Sequence, residues 1–319
     1  MKAGRGFAVI LAGALLLAGC EDTAQENKEA YKTIGIRCME TGEYEEAVDA
    51  FDRALGQANG KVTMDEVDIC YYKARALFEG GDPEGAIAVY DSLLDLDRGL
   101  TDAYFLRGTV ELTLDRNEEA LADFEEAIRR KGKDIELYIA IYDNLMAAGM
   151  ETEAVGFLGE ATEISGNKPS DFTLRGRAYM ILKNYDAALQ ELDRAIDGGD
   201  TDALLYKGQL LTETGNSEAA KSCYTEYLES HEKDSDALNH LGCLAMENGQ
   251  YEDALNYFDE ALEYAEESMI SPKEILRNRI LVLEYLNRFE EARDALAEYE
   301  ASYEPDETLL REEIFLETR

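Results

Sequence analysis

The residues whose types could do chemistry are few: two histidines, five cysteines and a large excess of carboxylates. His231 sits among charged residues and His240 follows Asn239. Neither has a cysteine or a second histidine at metal-ligand spacing, which argues against a metal site. No Cys-x-x-Cys pair occurs, and Asp91, Asp95 and Asp97 fall within a helical pattern rather than in an Asp-x-Asp-x-Asp-Gly calcium loop. There is no Gly-x-Ser-x-Gly, phosphate loop or dinucleotide fingerprint. Carboxylate pairs abound, but their spacing places them on solvated helix faces. The residues predict no catalytic site, no metal and no cofactor, so the chain is not expected to be an enzyme.

The charge balance is 69 Asp and Glu against 31 Lys and Arg, a formal net charge of −38. Such a surface repels phosphates and excludes nucleic acid as a partner. It also repels anionic headgroups, so the body is expected to stand off a membrane. Cys38, Cys70, Cys223 and Cys243 all fall inside predicted helices, where cysteine behaves as a small hydrophobe. Disulfides Cys38–Cys70 or Cys223–Cys243 are the alternative to free thiols.

The N-terminus reads as an address. Lys2 and Arg5 precede an apolar and glycine run from Phe7 to Ala18, short for a membrane span but suited to a secretory signal. Its end, Leu17-Ala18-Gly19-Cys20, resembles the lipobox of bacterial lipoproteins. The resemblance implies that residues 1–19 are a signal peptide and that the Cys20 sulfur carries diacylglycerol, with acyl chains such as palmitate. Two or more chains anchor stably where one does not. Residues 20–27 would then be the lipidated cysteine and a short polar tether.

Thr101 to Asp134 shows the element that positions everything else. Its apolar or small residues fall at Tyr104, Gly108 and Glu111–Leu112, then at Ala120, Phe124, Ala127 and Ile128. That is the spacing of two amphipathic helices around a polar turn at Asp115–Asn117. The pattern recurs on Ala47, Ala86, Ala120, Ala154, Ala188, Ala220, Ala254 and Ala292, at intervals of 39, 34, 34, 34, 32, 34 and 38. Four residues after each alanine stands a large apolar side chain, and twelve before it stands Gly35, Gly108, Gly176, Gly208 or Gly242. Ala74, Tyr142 and Ile280 replace that glycine in the second, fourth and eighth copies, predicting looser or shifted packing there. The intervals place insertions at Gly56–Thr63 and Glu266–Pro272 and a tight turn at Gly198–Gly199.

This pattern resembles the tetratricopeptide repeat, a 34-residue helix–turn–helix. The resemblance implies an all-α, right-handed superhelical solenoid of about eight repeats over residues 28–306. Residues 307–319 read as a capping helix, with Leu309, Leu310, Ile314 and Phe315 apolar. In this family the first helices line a concave groove that receives an extended segment. Carried over by register, the groove residues are Tyr71, Tyr72, Arg75 and Phe78 in the second repeat, and Phe105, Leu106 and Thr109 in the third. The fourth repeat contributes Ile139 and Asp143, the fifth Leu174 and Arg177, and the sixth Leu205, Tyr206 and Gln209. Asn239 and His240, then Arg277 and Asn278, follow in the last two. Aromatic and arginine side chains concentrate binding energy at interfaces, although the same residues could complete helix packing. The basic clamp that some relatives use for a peptide C-terminus is absent, since Ile36 stands where it needs asparagine. Lys73, Arg107, Arg175 and Lys207, one place before the small residue, read as cement between neighbouring copies.

The sequence therefore predicts a non-catalytic scaffold for a protein or peptide partner, lipid-anchored at the extracytoplasmic face of a bacterial membrane. A capture subunit for extracytoplasmic peptides or glycans is the other reading.

Overall fold

The computed structural model describes the backbone of residues 6–58, 62–265 and 272–303, with 309, 311 and 314–316 beyond them, and side chains from residue 23 onward. Side chains of the expected signal segment and of Cys20 lie outside the described residues, as do parts of both insertions and of the capping segment. The described helices follow one another in pairs. They are α1 (Gly6–Glu40) with α2 (Tyr44–Leu55), α3 (Met64–Glu79) with α4 (Pro83–Leu96), α5 (Thr101–Thr113) with α6 (Asn117–Lys131), and α7 (Ile135–Ala147) with α8 (Glu151–Thr162). Then come α9 (Pro169–Ile181) with α10 (Tyr185–Asp197), α11 (Asp202–Glu213) with α12 (Ser217–Leu228), α13 (Ser235–Glu247) with α14 (Tyr251–Glu263), and α15 (Pro272–Tyr285) with α16 (Phe289–Ser302). The described residues contain no strand, and none of their helices is long and apolar enough to cross a membrane. The chain divides after Leu158 into two compact bodies, each built from such pairs.

Local chemistry sets the helix ends. Thr63 and Glu66 form a capping box at α3, and Asp82, Asp134 and Asp234 accept backbone N–H groups at the starts of α4, α7 and α13. Acidic first turns such as Glu45-Glu46, Glu118-Glu119 and Glu290-Glu291 favour the helix dipole. Each first helix closes on one left-handed residue: Gly42, Gly81, Asp115, Gly149, Lys183, Gly215, Gly249 or Asn287. Two reverse hydrogen bonds fix each turn, as where Asp115 N donates to Leu112 O and Arg116 N to Glu111 O. The expected tight turn after α10 uses Gly199 at φ +92°.

Each pair is packed through one contact. A Cβ built on Gly35, Gly208 or Gly242 would lie 2.5 Å from the ring of Phe51, Tyr224 or Phe258, respectively. On Gly108 it would lie 2.9 Å from Phe124, and on Gly176 2.7 Å from Leu192. The eight repeat-marking alanines are fully buried beside these side chains. Where Tyr142 and Ile280 replace the small residue, the register partners are Leu158 and Leu296, leucine as in the fifth pair, where Leu192 faces Gly176.

Consecutive pairs are joined by ion bridges. Lys73 meets Asp52 (2.5 Å), Arg107 meets Asp91 (2.6 Å), Lys207 meets Asp193 (2.7 Å) and Arg279 meets Asp259 (2.6 Å). In every case the cation opens onto an aspartate of the preceding pair, as expected of repeat cement. Arg175 would find Gly159 at that register; it turns instead to Glu191 (2.5 Å) and the Ile164 carbonyl (3.1 Å).

Residues 20–27 lie within α1, not in a separate extended spacer. Gln25 donates to Glu29 at 3.1 Å, and one turn on, buried Lys28 reaches Glu66 (2.7 Å) and Asp65 (2.5 Å) on α3. Burial pushes the Glu66 carboxyl up, but its bonds to Lys28 and Thr63 outweigh this and hold it at about 2. Its stabilisation is therefore complete above about pH 4.5 and is lost as pH falls towards about 2. At the other end, Leu309 and Leu316 are buried in the last core and Phe315 meets Phe289 edge-on at 6.0 Å. Ile314, expected to face inward, is exposed, because Leu316 takes the buried place.

Two outcomes are expected. Gly208→Ala should cost about 1–3 kcal/mol in urea unfolding, because its Cβ has no room against Tyr224. Lys28→Met should cost about 3–5 kcal/mol by leaving Glu66 buried and unpaired, and Lys28→Met with Glu66→Leu should regain much of it.

Candidate binding face of the first helices

The register-matched residues on the first helices differ in burial. In the first body, Tyr71, Phe105 and Ile139 occupy equivalent places; Tyr71 and Phe105 are half-buried against the core and Ile139 is fully within it. The Tyr71 ring lies 6.3 Å from Tyr90, and Phe105 lies 5.9 Å from Phe124; Ile139 is buried. Burial pushes the Tyr71 phenol up to about 12. One residue further along, Tyr72 and Leu106 are half-buried too, and both pack partly on the core. Tyr72 stacks on Phe51 at 5.9 Å, and Lys32 Nζ stands 5.8 Å from its ring centre. Arg75 is exposed and pairs with Glu79 at 2.6 Å; Phe78 packs partly on the core; Asp143 is exposed.

In the second body Leu205 is buried, while Leu174, Arg177, Tyr206 and Gln209 are half-buried. The Arg177 guanidinium lies over the Tyr206 ring at 4.8 Å, a cation–π contact. Gln209 Nε2 stands 3.2 Å from His240 Nε2, and His240 stacks on Tyr224 at 5.1 Å. Burial lowers the His240 pKa against the opposing pull of Asp236, so the ring is neutral at pH 7 and Nε2 accepts the Gln209 amide proton. Asn278 Nδ2 donates to buried Asn239 Oδ1 (3.1 Å) and lies 3.5 Å from Cys243 Sγ. A run of polar side chains thus links α11, α13 and α15.

Register reasoning placed these residues on first helices but did not give their degree of burial. It passed over Cys243, which takes the place held by Arg75 and Gln209 in other repeats. Cys38, Cys70, Cys223 and Cys243 are unpaired thiols. Burial raises the pKa of each, Cys243 to about 11, so they are protonated at neutral pH and poor nucleophiles. What the arrangement offers a ligand is half-exposed aromatic and aliphatic edges flanked by arginine, amide and carboxylate groups.

Comparison with known proteins agrees with this geometry. Family models described as tetratricopeptide repeat match residues 32–101 and 71–135, 172–197, 202–233 and 235–268. The unmatched fourth and eighth copies are those with Tyr142 and Ile280 at the small-residue position. No curated protein matches the chain. Among solved structures, a tetratricopeptide repeat protein from Parabacteroides merdae is 13% identical with a TM-score of 0.52, over 81% of this chain and 99% of that one. The Cut9–Hcn1 hetero-tetramer of the APC/C is 18% identical with a TM-score of 0.48, over 79% of this chain; the match spans only 49% of that chain. PilW, a type IV pilus biogenesis factor, is 19% identical with a TM-score of 0.43, over 76% of this chain and 96% of that one. Together the family-model matches, which cover more than half of the chain, show that it belongs to the tetratricopeptide repeat family.

Proposed function

We propose that this protein is a non-catalytic scaffold, anchored through lipid on Cys20 at the extracytoplasmic face of a bacterial membrane, that binds a segment of a partner protein on its first helices. The observation that carries the binding reading is that first helices of each body keep side chains part-exposed or exposed: Tyr72, Arg75 and Leu106 in the first, and Arg177, Tyr206 and Gln209 in the second. Arginine and tyrosine in such positions are the types that supply interface hot spots. The anchoring reading rests on Leu17-Ala18-Gly19-Cys20 after an apolar run.

The two parts are tested separately. Arg75→Ala with Arg177→Ala should cost no more than about 1–2 kcal/mol, from one exposed ion pair and one cation–π contact. It should also reduce at least tenfold the partner recovered by crosslinking from the native envelope; equal recovery would move the site elsewhere. Phe105→Ala, which removes a ring packed against Phe124, should lower stability without selective loss of partner. For the anchor, intact mass of the N-terminal peptide should show a diacylated Cys20, and Cys20→Ser should release the protein from the membrane fraction.

A further inference from the structure

One carboxyl group stands where the repeat uses apolar packing. In the last turn of each first helix, three residues after the small-residue position, the other seven copies have Cys38, Leu77, Leu145, Tyr179, Leu211, Ala245 and Leu283. The third copy has Glu111, which is only 7% exposed. Its Oε2 has no hydrogen-bond partner. A buried polar atom left unsatisfied in this way is costly, and more so when it carries charge.

Its surroundings do not relieve the charge. On its own helix the nearby cation is Arg107, which α6 and α4 already occupy. Asp123 accepts from Arg107 Nε and Nη2 at 2.7 Å each, and Asp91 accepts from Nη1 at 2.6 Å. From α6, Asp123 and Glu119 add negative charge; from the turn, Arg116 adds positive charge but is bonded to Glu84. On the α4 side the titratable core group is Tyr90, itself pushed up to about 12 by burial. From α7 the same core receives Leu137, Ile141, Leu145 and Tyr142, while Glu136 and Asp143 on that helix are exposed.

We propose that Glu111 makes the third helix pair a proton-responsive joint: α5 seats fully on α6 with Glu111 neutral, and loosens when Glu111 ionises. Burial first, then the Asp123 charge, pushes this carboxyl up to about 7 from its ordinary 4.5. Between those values the folded chain holds a proton that the unfolded chain has released. Stability from this group therefore falls as pH rises through the window, opposite in sign to the Glu66 network. Phe105 and Leu106 ride on α5, so loosening would reach the open face. An effect on partner binding rests on the function proposed above; the seating of α5 does not.

The test is amide hydrogen exchange of the full chain in detergent, corrected for intrinsic rates, at pH 5 and pH 8. Parent, Glu111→Gln and Glu111→Leu are compared. In the parent, α5 and α6 amides should lose about tenfold or more of their protection between pH 5 and pH 8 relative to either variant. All three should be alike at pH 5, and helices of the second body should show no such difference. A constant offset between parent and variants at both pH values would overturn the proposal. So would failure of both variants to fold, since the carboxylate would then be a required anion. The seating is read without a partner, so a negative binding experiment leaves it standing.

Discussion

Everything in this chain depends on how closely two helices of a pair can approach. Where Gly35, Gly108, Gly208 and Gly242 face rings, a single added carbon would overlap the aromatic side chain. The second helix can then lay its buried alanine and its large apolar residue directly against the first. Interiors at crystal-like density tolerate neither a gap nor an extra methyl group, so the small residue and the ring form one constraint.

Once a pair closes this way, the rest follows with little freedom. The first helix must stop and reverse, and the left-handed residue with its two reverse hydrogen bonds does that at every turn, even where the residue is Asp115 or Lys183. Cations next to the small residue are then carried over the preceding second helix, where aspartate awaits them. Neighbour-to-neighbour bonding is what allows a 319-residue chain to avoid a single large core.

Much of this was legible in the sequence because it repeats. Eight alanines in register, five with a glycine twelve residues earlier and each with a large apolar residue four later, carry the resemblance to the tetratricopeptide repeat. The ion bridges at Lys73, Arg107 and Lys207 were legible for the same reason. Arg175 chose a partner within its own pair because glycine stands at 159, which needs the three-dimensional register to see. The degree of burial was not legible: Ile139 and Leu205 are buried at the place where Tyr71 and Phe105 are half-buried, and only the packing of neighbouring helices decides it. Glu111 could have been singled out by comparing one column across copies, but its missing hydrogen bond could not. Residues 20–27 read as a tether because they are polar, yet polar residues on an exposed helix are equally at home, and Lys28 fixes that helix to α3.

The open first-helix face is tested most directly by a photo-crosslinking scan in intact cells. A crosslinking amino acid is placed at Arg75, Asp143 and Arg177 on first helices, and at the exposed Glu125 and Ser222 on second helices. Binding on the first-helix face predicts a discrete protein adduct from the first set and none from the second. Adducts confined to Glu125 and Ser222 would contradict it and place the partner on the second helices.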